Sequence, residues 1–281
     1  MKILVTGGVG FIGHNLINRL IKEKHEVHSL DIKSTSSDYT INSECNYILG
    51  DIENICLLDK DFDIIYHLAA LVRVQESFNN PEETIEVNTM GTQKVCEFAR
   101  LTGAKLIYAG SASRHTNPYL SPYALSKYGG EEICKMYRAT YGLDIEIARF
   151  YNVYGPGEHL DDKESSVIGI WRHKIKHQKV LNIVGDGEQK RDFIHVLDIV
   201  DGLWRIGIKS LKHKDAWELG TGEMTSILEL SCMFKIQFEC IFNFIEDQPG
   251  NVRESIVINN DASLLLGWKP KRSLINYISS L

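Results

Sequence analysis

The sequence predicts an α/β fold, a doubly wound parallel sheet followed by a smaller α/β lobe toward the C-terminus. Three observations predict it. Through the first half, short apolar runs alternate with stretches of helical periodicity, the pattern of β-α-β units. Those runs show little polar–apolar alternation, as expected of strands covered on both faces. After Tyr151 the texture changes: Gly155-Pro156-Gly157 breaks the chain, and the helical segments beyond it are shorter and less regular.

The expected strands cover residues 2–6, 26–31, 64–68, 105–109 and 144–149. Helices are expected at 10–23, 84–102 and 123–141, and a polar surface loop at 34–44. Residues 1–154 form the expected cofactor domain, with a returning segment near 188–208, and 155–281 form mainly a substrate lobe. Within that lobe, 161–164 read as a charged loop, and Gly185-Asp186-Gly187 and Gln248-Pro249-Gly250-Asn251 as turns. Ligands of such sheets bind at the carboxyl ends of the strands, so a lobe placed there completes a cleft.

At 281 residues the chain is long enough to bury a sizeable core, and its 43% hydrophobic and 24% charged content is that of a globular protein. A net charge of −6 argues against a sequence-independent nucleic-acid binder, which needs a basic face. Six cysteines form no C-x-x-C pair and no metal-ligand spacing, so reduced, mostly buried thiols are expected, and no metal. The apolar start runs into Thr6-Gly7-Gly8 too soon for a signal peptide, and no stretch reaches the roughly 20 apolar residues of a membrane helix. A cytoplasmic protein without membrane partners is expected.

Directly after the first strand, Gly7-Gly8-Val9-Gly10-Phe11-Ile12-Gly13 places glycines at 7, 10 and 13. A dinucleotide needs a tight turn there, close backbone approach to its pyrophosphate, and a helix N-terminus whose N–H groups face the phosphates. Asp31, at the end of the second strand, supplies a carboxylate for the adenosine ribose and repels a 2′-phosphate, which favours NAD over NADP. Strand, glycines, helix, strand and acid in this order make the sheet a Rossmann-type one. Asp51 and Ile52 are expected near the adenine. Leu68, Ala69 and Ala70 end another strand where a nicotinamide ribose could approach. His67, just before them, reads as a satisfied core histidine.

The chemistry is carried by Tyr123-Ala124-Leu125-Ser126-Lys127, with Ser111 upstream at a strand end. Residues i and i+4 share one helix face, so Tyr123 and Lys127 point into one site. A phenol of ordinary pKa about 10 is a poor base at neutral pH, and a nearby ammonium is expected to lower it. Ser111 can hydrogen-bond a substrate hydroxyl.

With these residues assembled, the sequence resembles the extended short-chain dehydrogenase/reductase family, and within it the sugar-nucleotide 4-epimerases such as those acting on UDP-glucose or UDP-N-acetylglucosamine. The resemblance covers nearly the whole chain, through stretches 6–13, 67–70, 88–92, 149–157, 191–195 and 265–270 together with Ser111, Tyr123 and Lys127. It implies tightly held NAD, lined by Gly7, Gly10, Phe11, Ile12, Gly13, Asp31, Asp51, Ile52, Leu68, Ala69, Ala70, Asn88, Tyr123, Lys127 and Tyr151. It implies catalysis by Ser111, Tyr123 and Lys127, a substrate diphosphate on Asn152 and Arg191, and a homodimer packed through helices near 92–101 and 123–141. Ser255 stands where a bulky residue restricts the sugar pocket in some members, and its small side chain leaves room for an N-acetyl group.

Related 4,6-dehydratases carry an Asp-Glu pair after the catalytic hydroxyl, where this chain has Ala112 and Ser113, so dehydration is not expected. The chain departs from the family pattern at Arg114-His115, where Val-Tyr is common, in a short loop before Tyr123. It departs again at Gln248, where an arginine usually grips the pyrophosphate, which leaves Arg253 as a further cation. The expected reaction is epimerisation of a nucleotide-linked hexose. Tyr123 as phenolate takes the 4-hydroxyl proton while C4 gives hydride to NAD, and the 4-keto sugar turns over before reduction. A nucleotide-sugar reductase, a UDP-glucuronate decarboxylase and a non-catalytic NAD-binding scaffold are the alternatives.

Overall fold

The computed structural model describes residues 1–36, 39–59, 61–160 and 165–281; the expected charged loop at 161–164 lies outside them. The strands are β1 (Lys2–Thr6), β2 (Glu26–Asp31), β3 (Asn46–Leu49), β4 (Ile64–His67), β5 (Lys105–Ser111), β6 (Ile145–Phe150), β7 (Asn152–Tyr154), β8 (Leu181–Val184), β9 (Lys190–His195), β10 (Trp217–Leu219), β11 (Met224–Ser226), β12 (Phe242–Ile245) and β13 (Glu254–Ser255). The helices are α1 (Phe11–Lys22), α2 (Val74–Asn79), α3 (Pro81–Ile85), α4 (Gly91–Thr102), α5 (Pro122–Tyr141), α6 (Val167–Lys176), α7 (Val196–Ile208), α8 (Ile227–Gln237), α9 (Asp261–Leu266) and α10 (Leu274–Ser279).

Seven parallel strands form one sheet in the order β10-β6-β5-β4-β1-β2-β3. The order reverses between β1 and β4, the switch point at which a doubly wound sheet opens a crevice at its carboxyl edge. Successive side chains of a strand point to opposite faces. Ile3 and Val5 accordingly join Leu16, Ile17 and Leu20 of α1 and Ile199, Leu203 and Ile206 of α7 in one core. Leu4, between them, joins Val95, Phe98 and Ala99 of α4 and Tyr137 of α5 in a second core. Both faces are covered, which explains why the strands read as continuous apolar runs.

A third core gathers Tyr154, Ile168, Trp171, Leu181, Ile183, Phe193, Leu230, Phe234 and Ile278. Around it lie a sheet in which β9 pairs with β7, β11 and β13, and a parallel pair of β8 with β12. The chain returns to the large sheet more often than the single segment expected. β10 becomes its edge strand, and Ala262, Leu266 and Trp268 enter the first core.

Two further expectations are corrected. The helix expected over 84–102 is broken, with α3 ending at Ile85 and a π-helical turn over Glu86–Met90 before α4. That turn carries Asn88 inward, where it is 1% exposed. The strand expected to end at residue 109 continues to Ser111, because Gly110 and Ser111 still pair with Arg149 and Phe150 of β6. Among the thiols, Cys45, Cys96 and Cys134 are buried, whereas Cys56 and Cys232 are exposed.

Candidate active site

The crevice begins at the glycine turn. Gly7 has φ +73°, and a Cβ there would lie 2.7 Å from the backbone nitrogen of Ala69. A Cβ on Gly13 would lie 2.2 Å from the carbonyl oxygen of Gly7, so only hydrogen lets α1 start this close to β1. The N-terminus of α1 begins at Gly10 with no side-chain cap and no acid in its first turn. Its positive end, with Phe11 and Ile12 in that turn, thus carries no acid of its own. Asp31 ends β2 beside the loop and accepts hydrogen bonds from the Val9 and Lys33 backbone N–H groups, each at 2.9 Å. The loop, the uncapped helix and the carboxylate suit a dinucleotide.

On the other side of the switch point, Leu68, Ala69 and Ala70 follow β4. Ala69 donates its N–H to the Thr6 hydroxyl at 3.3 Å, and Asn88 grips Leu71 through both its N–H and its carbonyl at 2.8 Å. Asn88 also donates to Ser126 Oγ at 2.9 Å. Its amide is therefore committed to holding this wall and the start of α5. Asp51 caps the 3-10 turn over Ile52–Leu57 and accepts from the Glu53 N–H, and Ile52 is buried. His67 is the core histidine expected, bonded to Thr6 at 2.8 Å and Thr92 at 3.1 Å. Thr92 donates its own proton to the Asn88 carbonyl, so it accepts from His67 Nε2–H and Thr6 donates to Nδ1. Burial, with Lys127 nearby, pushes this imidazole down to about 3, and it stays neutral.

Ser111 closes β5, and Ser121 caps α5 by accepting from the Ala124 N–H. The strand end and the helix start bring the Tyr123 hydroxyl within 3.3 Å of Ser111 Oγ. Ser113 donates to the same Oγ at 3.0 Å. Lys127, 6% exposed, donates from Nζ to the carbonyl of Ala109 at 2.7 Å and lies 4.5 Å over the Tyr108 ring. Burial pushes its ammonium down to about 8, against the opposing charges of Cys134 and Glu131. The expected lowering of Tyr123 by this lysine is not realised. Burial pushes the phenol up, and only the hydrogen bond with Ser111 opposes it, because Lys127 is turned to the Ala109 carbonyl.

The second body supplies the rest. Asn152 opens β7 and donates to the Asp192 carbonyl at 3.2 Å. Arg191, half-buried on β9, donates to the Lys190 carbonyl and to Asn251 Oδ1 at 2.9 and 2.8 Å. It has no carboxylate partner among the described residues, and burial pushes its guanidinium down. Arg253 does not join it as expected. It is exposed and its guanidinium is held by Asp186 at 2.8 Å. Ser255 lies in β13, paired with Arg191. Tyr151 is 7% exposed, and its hydroxyl donates to Glu218 at 2.8 Å.

The pattern of the NAD dependent epimerase/dehydratase family matches residues 3–220. The chain belongs to that family. A UDP-glucose 4-epimerase of Mycolicibacterium smegmatis is 31% identical over 99% of this chain and 96% of its own. Among solved structures, a UDP-glucose 4-epimerase of Thermotoga maritima bound to UDP-glucose superimposes with a TM-score of 0.89 at 28% identity, covering 99% and 96% of the two chains. A UDP-glucuronic acid 4-epimerase of Bacillus cereus, in complex with UDP-glucuronic acid and NAD, gives the same TM-score, identity and coverage.

One part of this family member's site escaped the sequence. Behind Lys127 on α5, Glu131 is buried against Arg149, whose Nε donates to Glu131 Oε2 at 3.0 Å. Arg149 also pairs with Glu218 at 2.8 Å and Asp215 at 2.9 Å, and Lys135 with Glu131 at 2.9 Å. Burial raises both Glu131 and Glu218, but their cationic partners outweigh it and hold each below its ordinary value. The i, i+4 spacing of Tyr123, Lys127, Glu131 and Lys135 was the available signal.

Proposed function

We propose that the protein is a UDP-hexose 4-epimerase that keeps NAD bound through its cycle. One observation carries this reading. The Tyr123 and Ser111 hydroxyls meet at 3.3 Å where a dehydratase would add two acids, and Ala112 and Ser113 stand there instead. The site then has groups to move one hydroxyl proton and none to expel a hydroxyl.

NAD is held at Gly7, Gly10, Phe11, Ile12, Gly13 and Asp31, and when bound it supplies reversible oxidation at the sugar C4. The chain's own residues do the rest. Arg191, aided by Asn152, takes the substrate diphosphate, since a half-buried cation with no carboxylate partner among the described residues is ready for an anion. Ser111 hydrogen-bonds the 4-hydroxyl and orients it. Tyr123 accepts the hydroxyl proton and later returns it to the same oxygen, once the sugar has turned its other face to the cofactor. Lys127, charged below about pH 8, donates to the Ala109 carbonyl and holds the end of β5 that carries Ser111. Positioning and proton transfer together supply the rate.

The proposed division of labour sets the sheet of residues 1–154 as cofactor domain and most of 155–281 as substrate lobe. A homodimer through α4 and α5 is supported by the exposed apolar side chains of Leu101, Leu125, Met136 and Tyr141 on those helices. The free, exposed thiols of Cys56 and Cys232 suit the reducing cytoplasm. Incubation with UDP-glucose, UDP-N-acetylglucosamine and UDP-glucuronate, followed by NMR of the anomeric protons without added cofactor, tests the reading. Interconversion of one of them with its C4 epimer is expected. Loss of carbon dioxide from the glucuronate, or turnover only with added NADH, would sink it.

A further inference from the structure

Ser111 is both the end of β5 and the cap of the 3-10 turn over Ala112–His115, its Oγ accepting from the Ser113 N–H at 3.2 Å. The direction of that oxygen depends on how the turn is held. Two side chains hold it. The Arg114 guanidinium reaches forward to α5, 2.8 Å from Glu132 and 3.4 Å from Glu131, and lies 4.0 Å over the Tyr128 ring. His115 reaches the other way, its Nε2 2.8 Å from Glu218 on β10.

Neither contact is the sole partner of a buried acid. Glu218 already has Arg149 and the Tyr151 hydroxyl, and Glu131 has Arg149 and Lys135. The two clasp side chains are themselves partly solvated, 20% and 24% exposed. What they do is tie the last two residues of one short turn, to the helix that carries Tyr123 and to the carboxylate that holds Tyr151.

We propose that Arg114 and His115 are positioning residues, a two-point clasp that fixes Ser111 Oγ against the Tyr123 hydroxyl and the sugar hydroxyl. The inference rests on the proposed roles of Ser111 and Tyr123. Without the clasp the turn is free to rotate Ser111 away, and the chemical step slows while substrate binding through Arg191 is unaffected.

The test compares His115→Ala, His115→Gln, Arg114→Ala, Ser111→Ala, Tyr123→Phe and the double variant Ser111→Ala/His115→Ala, on whichever UDP-sugar the wild type epimerises. Misplacement of a reacting group by about 1 Å costs up to about 100-fold, so His115→Ala is expected to lower kcat about 10- to 100-fold. KM should stay within about threefold, since binding is shared by both states of the turn. His115→Gln keeps an N–H donor for Glu218 and should recover most of the loss. In the double variant kcat should lie within about twofold of Ser111→Ala alone, because the two changes act through one oxygen. A purely structural role would instead lower the melting temperature and leave kcat intact. Wild-type kcat in His115→Ala, or losses that multiply independently with Ser111→Ala, overturns the clasp. If His115→Ala fails to fold, Arg114→Ala decides. A several-fold fall in kcat at unchanged KM supports the clasp, and unchanged kcat overturns it. Full activity in both Ser111→Ala and Tyr123→Phe would overturn the epimerase reading and the clasp with it. Losses there with none at 114 and 115 overturn the clasp alone.

Discussion

The hydroxyl of Tyr123 donates to Ser111 Oγ at 3.3 Å, joining the first turn of α5 to the last residue of β5. Parallel strands end at the crevice and the following helices run away from it, so a helix-start phenol and a strand-end hydroxyl meet at the sheet's carboxyl edge. Tyr123→Phe removes the proton acceptor and leaves the ring packing in place. A fall in kcat of about 10²–10⁴ is expected, the range for a lost acid–base group. Steady-state epimerase kinetics measure it, and undiminished kcat excludes Tyr123 from proton transfer.

Lys127 makes activity depend on pH with a definite sign. Its folded-state value of about 8 lies below the ordinary 10.5, because burial disfavours the ammonium. Raising pH through about 8 removes the charge that holds the Ala109 carbonyl two residues before Ser111, so kcat/KM should fall on that alkaline side. Stability moves the other way. Between about 8 and 10.5 the unfolded chain still holds the proton that the folded chain has released, so this lysine's contribution to folding stability rises with pH. The pH profile of kcat/KM and urea melts at pH 7 and 9.5 check both directions. An alkaline limb that persists in Lys127→Met assigns it elsewhere.

Arg191 separates binding from stability. A half-buried guanidinium with no carboxylate partner among the described residues is costly to the free protein and useful to an anionic ligand. Arg191→Ala should raise KM for the UDP-sugar about 10- to 100-fold, the effect of losing hydrogen bonds to a charged group. Its melting temperature should be unchanged or higher. A drop of several degrees at wild-type KM would make Arg191 structural.

Gly13→Ala should fail for steric reasons. The added carbon would lie 2.2 Å from the Gly7 carbonyl oxygen and 2.7 Å from Gly8 Cα, both backbone atoms that cannot step aside cheaply. Overpacking of this kind costs about 1–3 kcal/mol, a loss of several degrees in melting temperature for a chain of this size. NAD retention should fall with it. Differential scanning fluorimetry and the absorbance of released cofactor report the two effects.

Local patterns carried much of this molecule. β1 and β2 fall at the expected 2–6 and 26–31, because apolar runs bounded by glycines and an acid are local signals. The glycine turn, the Tyr123–Lys127 spacing and the strand-end serine were equally legible. The short strands β3 and β10 were not. Each has at most four residues, and each exists because a neighbour in the sheet, β2 or β6, offers it hydrogen bonds. The break at Glu86–Met90 escaped for a related reason: helical periodicity runs through it, and only the tertiary need to seat Asn88 between Leu71 and Ser126 shows the departure.

By itself the sequence determined the α/β class, the glycine turn after β1 and the spacing that brings the Tyr123 and Ser111 hydroxyls together, since residue type and short spacing dictate backbone geometry. Tertiary structure alone decided their electrical state and their partners. Lys127 is pushed down by burial and spent on the Ala109 carbonyl, Arg253 is drawn outward by Asp186, and Arg149 is locked between Glu131 and Glu218. Desolvation and pairing depend on segments far apart in the chain, and they exist only once the sheet and the second body have closed around these groups.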